Sequence, residues 1–332
     1  MKRLLFCLFL LLSFSTVSAT NYNYTIDCIT DSNGNIVKST DPISSDTTYK
    51  IVQKEFENIN EDSNTTFCVG KLVSKEAAIV YADTSTSYIG YYADIDGDGT
   101  VDGVIFADLA FSKSGTWNTC NTSKSAYNTR GTYSYSAQSN LKQYYVSQES
   151  YTGKFGTAAV LSPVSGTTGN DRFYVMALSD FTTFSSYYAW YWYKSAYSTT
   201  ISDYSTITSQ DFGSGKQNTA NMISKWNSSA YGSQNAQDIW GAIQTQVANG
   251  WFVPSRAEWA AFANAFPITS NYNGSGNSTC SGNYNLTYGL SNYYWSSSLG
   301  SANDAYGAFF NFGYMNNYYL DDSNRVRLVV TY

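Results

Sequence analysis

Gly250-Trp251-Phe252-Val253-Pro254-Ser255-Arg256-Ala257-Glu258-Trp259 is the stretch that marks the fold most sharply. Ser255 and Glu258 have the spacing of a capping box at the head of an apolar run. The serine hydroxyl accepts from the amide three residues on, and the glutamate reaches back to the cap amide. Trp259, Phe262 and Phe266 then recur at helical intervals, which predicts a helix with one aromatic face.

Two more helices are predicted before this one. Thr219 to Trp226 places Ala220 with Ile223 and Met222 with Trp226 on neighbouring rows, and Asp238 to Val247 repeats Ile239, Ile243 and Val247 every four residues. Strand-like runs lie on both sides: Ala77–Ala82, Val101–Leu109 and Arg172–Leu178 before, Tyr293–Ser298, Ala308–Tyr314 and Arg325–Thr331 after. Helices set between early and late strands give a mixed α+β domain over 77–332. Gly115 to Asn140 reads as a long Ser/Tyr/Gly-rich loop. Residues 20–76 form a small N-terminal segment rich in Asn, Asp, Ser and Thr, with turn signals at Asn33-Gly34 and Asp41-Pro42 and a β-like run at Tyr49 to Val52.

The chain of 332 residues has no histidine, which removes Ser-His-Asp and Cys-His triads and His-ligated zinc. Charged residues make up 13%, against roughly 25% in an average soluble domain. With so few lysines and arginines, nucleic acid is not an expected partner. Lys2-Arg3, the apolar run Leu4 to Phe14 and Val17-Ser18-Ala19 have the order of a signal peptide over 1–19. That run is too short to span a bilayer. A secreted or cell-surface protein without a transmembrane segment in its mature chain is expected. Cys28, Cys68, Cys120 and Cys280 remain after cleavage and allow three pairings, of which Cys28–Cys68 with Cys120–Cys280 is the expected one. Four free thiols are the alternative.

Asp94-Ile95-Asp96-Gly97-Asp98-Gly99-Thr100-Val101-Asp102 places Asp at the first, third and fifth positions and Gly at the sixth, the way a Ca²⁺ loop gathers oxygens while turning sharply. Asp94, Asp96, Asp98, Thr100 and Asp102 are the candidate ligands of a structural calcium ion. Position twelve is Ile105 rather than Glu, so the loop leads into a strand and is not an EF-hand. A metal-free loop built from Asx turns is the alternative.

Four segments in order resemble a known set: Gly213–Ile223 (GSGKQNTANMI), Gly250–Trp259, Tyr293-Tyr294-Trp295-Ser296-Ser297-Ser298, and Arg325-Val326-Arg327-Leu328-Val329. They are similar to the motifs of C-type-lectin-fold domains, in the branch of formylglycine-generating-enzyme-like and diversity-generating-retroelement variable proteins. The resemblance implies a C-type-lectin-like domain over 77–332. It also implies that residues 291–324 correspond to the variable region of such retroelement targets.

In that segment Tyr, Asn, Ser, Gly and Asp fill 24 of 34 positions, and Lys, Arg and Glu are absent. Tyrosine offers a large, rigid contact area and the small polar residues offer adaptable hydrogen bonds, as in antibody loops. The expected ligand-binding residues are Ser301, Asn303, Asp304, Tyr306, Phe310, Phe312, Tyr314, Asn316, Asn317, Tyr318, Tyr319, Asp321 and Asp322. The expected partner is a protein or glycan at a cell surface. A structural surface subunit that uses the same face for assembly is the second reading. An enzyme is not expected, because the redox cysteine pair of the formylglycine-generating relatives is missing and Glu258 is engaged by its cap.

Overall fold

The computed structural model describes residues 22–30, 50–59, 79–117, 131–183, 185–192, 200–270 and 282–332, the first two segments as backbone. The chain divides into two compact units, Met1–Ile79 and Val80–Tyr332. In the first, β1 (Tyr22–Thr30) pairs antiparallel with β2 (Lys50–Ile59), Cys28 lying opposite Val52. Cys68, Cys120 and Cys280 lie outside the described residues, as do residues 1–19, where a leader is expected, and of Cys28 only the backbone is described.

The second unit is mixed α+β, mostly sheet with few helices. Along the chain it runs β3 (Val80–Tyr81), β4 (Tyr92–Ala93), β5 (Gly103–Asp108), β6 (Lys113–Trp117), β7 (Gly131–Tyr135), β8 (Tyr144–Gly153), β9 (Gly156–Pro163), β10 (Phe173–Ala177) and β11 (Tyr188–Ala189). Among the described residues five helices follow: α1 (Tyr204–Ile207), α2 (Gly215–Asn227), α3 (Ile239–Ala242), α4 (Gln244–Ala248) and α5 (Arg256–Ala265). It closes with β12 (Tyr293–Leu299), β13 (Asp304–Phe309), β14 (Tyr314–Tyr319), β15 (Ser323–Asn324) and β16 (Val329–Thr331). Among the described residues no helix is long and apolar enough to cross a membrane.

The main sheet has the order β16-β10-β5-β4-β9-β8-β3, antiparallel except for the β4–β9 pair. All six residues of β5 are buried, as befits a strand covered on both faces. The period of two sorts them: Val104 and Phe106 enter one core and Ile105 the other. Strand β10 does the same, sending Tyr174 and Met176 one way and Phe173 and Val175 the other. The first core closes under α5, where Phe262 lies edge-on to Phe106 at 5.8 Å and Trp259 meets Tyr294 at 5.1 Å. A third core gathers Trp190, Trp240, Trp295, Val326 and Leu328.

Several sequence-predicted elements are corrected. The long loop Gly115–Asn140 carries the ends of a hairpin, β6 with β7, in which Tyr133 and Tyr135 alternate with exposed Thr132 and Ser134. The helix over Asp238–Val247 breaks at Ile243 into α3 and α4. The run Ala308–Tyr314 is not one strand. Phe312 N–H and Gly313 N–H both donate to Phe309 O, and Gly313 has φ +69°, so the chain turns there and returns as β14. Of Arg325–Thr331 only Val329–Thr331 is a strand of the main sheet; the Arg325 backbone bonds to β12 instead, its N–H donating to Tyr293 O and its carbonyl accepting from Trp295 N–H.

Candidate functional site

The segments that carry the motifs meet through buried hydrogen bonds. The capping box forms: Ser255 Oγ accepts from Glu258 N–H, and Ser255 N–H donates to Glu258 Oε2 at 2.7 Å. The other carboxylate oxygen accepts from Gly213 N–H (3.0 Å) and Gly215 N–H (3.2 Å), which anchors the start of α2 to the start of α5. Burial pushes the Glu258 carboxyl up to about 7, against the pull of its amide donors. Trp259 Nε1–H donates to Trp295 O, Ser297 N–H to Pro254 O, Arg256 N–H to Ser298 Oγ, and Asn218 Nδ2–H to Ser297 Oγ. Phe252 and Val329 exchange both backbone bonds. Asp180 accepts from Arg325, Arg327 and Tyr294 OH, binding the last segment to β12. These bonds tie the four segments into one frame.

The frame holds a three-stranded sheet, β12-β13-β14. Residues opposed across an antiparallel pair point to the same face. One face carries Asp304 with Tyr319, Tyr306 with Asn317, and Ala308 with Met315; the other carries Ala305 with Tyr318, Gly307 with Asn316, and Phe309 with Tyr314. On the first face the Ala308–Met315 end is buried in the α5 core, leaving Asn317 and Tyr319 exposed. On the second, Tyr318 stacks on Phe309 at 4.6 Å and Phe309 on Tyr314 at 5.7 Å.

The thirteen expected ligand-binding residues separate accordingly. Asn317 and Tyr319 are exposed, the latter 60%. Ser301, Asn303, Asp304, Phe312, Asn316, Tyr318, Asp321 and Asp322 are half-buried. Burial raises the Tyr318 hydroxyl above its ordinary range. Ser301 Oγ donates to Asp304 Oδ2 at 2.7 Å, which fixes the β12–β13 turn. Three expectations are overturned. Phe310 is 0% exposed, its ring held among Trp117, Trp259 and Tyr294. Tyr314 is buried over Phe309, and Tyr306 is nearly covered, its ring centroid 4.4 Å from the Arg256 guanidinium. These assignments rested on residue content, and the structure turns the three rings inward, Phe310 into the α5 core, Tyr314 onto Phe309 and Tyr306 onto Arg256.

The acidic loop joins β4 to β5. The carboxylates of Asp94, Asp96 and Asp102 offer oxygens that all lie within 4.8 Å of one another, a grouping that can hold a cation. Asp98 is not among them, and its Oδ1 accepts from Thr100 N–H instead. Backbone amides satisfy part of the group: Gly97, Asp98 and Gly99 donate to Asp94, and Ile95 donates to Asp102. Burial and then the neighbouring Asp96, Asp94 and Asp98 raise the Asp102 carboxyl above the ordinary range. Gly97 and Gly99 take φ of +77° and +90°, which lets the chain wrap around these oxygens.

Elsewhere, a cleft of about 290 Å³ is lined by Ala177, Ser179, Asp180, Phe181, Thr182, Gln246, Trp251 and Leu328, none of them an expected site residue. No family model, curated protein or solved structure matches the chain.

Proposed function

We propose that this chain is an exported, C-type-lectin-like ligand-binding protein of the receptor or adhesin kind, in the formylglycine-generating-enzyme-like and retroelement variable-protein branch. The β13–β14 hairpin and its flanking turns are its display face, facing a protein or glycan at the cell surface. A single observation carries the reading: from Ala305 to Leu320 the hairpin has no charged residue, yet it offers Asn317 and Tyr319 to solvent and leaves Asn316 and Tyr318 half-open. A rigid aromatic frame with neutral polar tips is what a contact surface needs, since little side-chain entropy is lost on binding. The convergence of the four motif segments on one frame supports the fold assignment.

The reading assigns no catalytic group. It gives Asp94, Asp96 and Asp102 to a structural Ca²⁺, and secretion to the leader. It is tested by screening the mature protein against a glycan array and a displayed peptide library, then repeating with Asn317→Ala/Tyr318→Ala/Tyr319→Ala. Binding that survives this triple substitution in a folded protein sinks the assignment. A structural subunit is the second reading, favoured by the terminal position of β14 in its sheet. It predicts a concentration-dependent oligomer that the same substitutions dissolve.

A further inference from the structure

The cleft of about 290 Å³ shares no residue with the hairpin or the acidic loop. Backbone bonds set its walls. Ala177 N–H donates to Leu328 O at 3.0 Å and Phe181 N–H to Val326 O at 2.8 Å, which lays residues 177–182 along the last segment. Gln246 O accepts from both Asn249 N–H and Trp251 N–H, so the chain after α4 turns back and brings Trp251 beside Gln246. Phe252 and Val329, the next residues along each stretch from Trp251 and Leu328, exchange both backbone bonds. The concavity is therefore built into the fold, as ligand sites usually are.

Its lining combines two kinds of group. Trp251, Phe181 and Leu328 are the large apolar ones, and Trp251 stays half-buried while packing against two of the cores. Ser179, Thr182 and Gln246 are polar, and their side chains have no hydrogen-bond partner among the described residues. Gln246 Oε1 is buried without a donor, an uncommon state for a carboxamide. A half-turn of that amide exchanges its oxygen and nitrogen, so Gln246 can present either an acceptor or a donor to the cleft.

The charge of the lining is already matched. Asp180 accepts from Arg325 Nη1 at 3.0 Å, from Arg327 Nε at 2.9 Å and from Tyr294 OH at 2.8 Å, with its side chain still 11% exposed. A cation gains little from a carboxylate held by two guanidinium groups. An anion would meet that carboxylate, because neither arginine lines the cleft and their unpartnered nitrogens, Arg325 Nε and Arg327 Nη1, are buried. The matching ligand is uncharged, has an apolar face for the indole, and carries groups that both donate and accept. A sugar ring has all three properties: its C–H face packs on an aromatic ring, and each hydroxyl is at once donor and acceptor. The volume lies at the lower edge of the roughly 300–1,000 Å³ of ligand pockets, which suits a short saccharide and not a long chain.

We infer that this cleft is a binding site for a neutral saccharide, separate from the hairpin face. Trp251 takes the C–H face of the ring, and Gln246, Asp180, Ser179 and Thr182 bond its hydroxyls.

The test presents the mature protein with glucose, galactose, mannose, N-acetylglucosamine and their common disaccharides at millimolar concentration. Glucuronic acid, glucosamine and adenosine are run beside them. Binding is read by saturation-transfer NMR and by the shift of tryptophan fluorescence. The variants are Gln246→Ala/Thr182→Ala, Trp251→Phe, and Asn317→Ala/Tyr318→Ala/Tyr319→Ala, each checked for its melting temperature. At least one neutral sugar should bind, and the Gln246/Thr182 pair should weaken it more than about tenfold with the fold intact. Trp251→Phe should weaken it less and remove the fluorescence shift; should that variant not fold, the Gln246/Thr182 pair decides. The hairpin triple variant should bind the sugar as the wild type does. No binding by any neutral sugar overturns the inference, as does a preference for the charged sugars or for adenosine. Sugar binding lost with the hairpin variant and kept by the Gln246/Thr182 pair overturns it too, and leaves the hairpin reading standing.

Discussion

Glu258 and Gly215, 43 residues apart, meet so closely that the glycine admits no side chain: a Cβ there would lie 2.2 Å from Glu258 Oε2. The contact lets one buried carboxylate serve the first amides of two helices. It also explains why a serine–glutamate pair three apart matters beyond its own helix. Gly215→Ala is expected to displace the carboxylate and lower the melting temperature, although alanine is otherwise the better helix former.

The same carboxylate sets a pH dependence. Its folded value is raised from 4.5 to about 7, chiefly by burial. The contribution is therefore fully present below the unfolded value and is lost as pH rises through the folded one. Between those limits the wild type should lose about 3 kcal/mol relative to Glu258→Gln, which keeps an acceptor but does not ionise. Urea melts of both proteins from pH 4 to 8 measure this. Parallel curves would show that the group does not titrate in that window.

Among the described residues Arg172 and Asp108 make the most enclosed ion pair, with side chains 1% and 0% exposed. Nε and Nη2 of the arginine each reach one carboxylate oxygen, at 2.8 and 2.9 Å, and its remaining donors take the carbonyls of Asp83 and Thr86. Removing one partner strands a charge in the core, so Arg172→Met should cost about 3–5 kcal/mol. The double variant Arg172→Met/Asp108→Leu should recover only part of that loss, because Asp108 also accepts from Tyr88 N–H and Ala110 N–H. Equilibrium denaturation of the three proteins decides it.

Local rules exposed part of this design in the sequence. The capping box, the buried strand at 103–108 and the helix before Trp226 all follow from spacing and apolar content. Tyrosine blurred the rest. With 31 of them in the chain, Tyr133 and Tyr135 read as loop composition although every second residue of their strand is buried. At Phe309-Phe310-Asn311-Phe312-Gly313 a run of aromatics mimics a strand, and only the glycine betrays the turn. The pairing of β11 with β15 was invisible because it joins short segments more than a hundred residues apart.

The turn at 310–313 yields a contrast between two aromatics of the same segment. Phe310 fills the core between Trp117 and Trp259, and Phe310→Ala should cost about 3–5 kcal/mol through the cavity it leaves. Tyr319, largely in solvent, should give a change within about 0.5 kcal/mol on the same substitution. Denaturant midpoints measure both. Equal costs would mean that the hairpin is shifted in register.

The acidic loop supplies the last contrast. The carboxylates of Asp94, Asp96 and Asp102 crowd one point, and their mutual repulsion contributes to the raised Asp102 carboxyl. A divalent cation would remove that repulsion and would bind the folded loop alone. Calcium should therefore raise the melting temperature, by about 5–10 °C at a hundredfold excess over its Kd, and a chelator should reverse the shift. Asp102→Asn should abolish the response. Asp98→Asn should keep it, because Asp98 spends its oxygen on Thr100 N–H and stands outside the group. Melting curves of the three proteins with calcium and with EDTA separate the two designs: a shift lost in both variants restores Asp98 as a ligand, and no shift in the wild type leaves a loop held by its own amides.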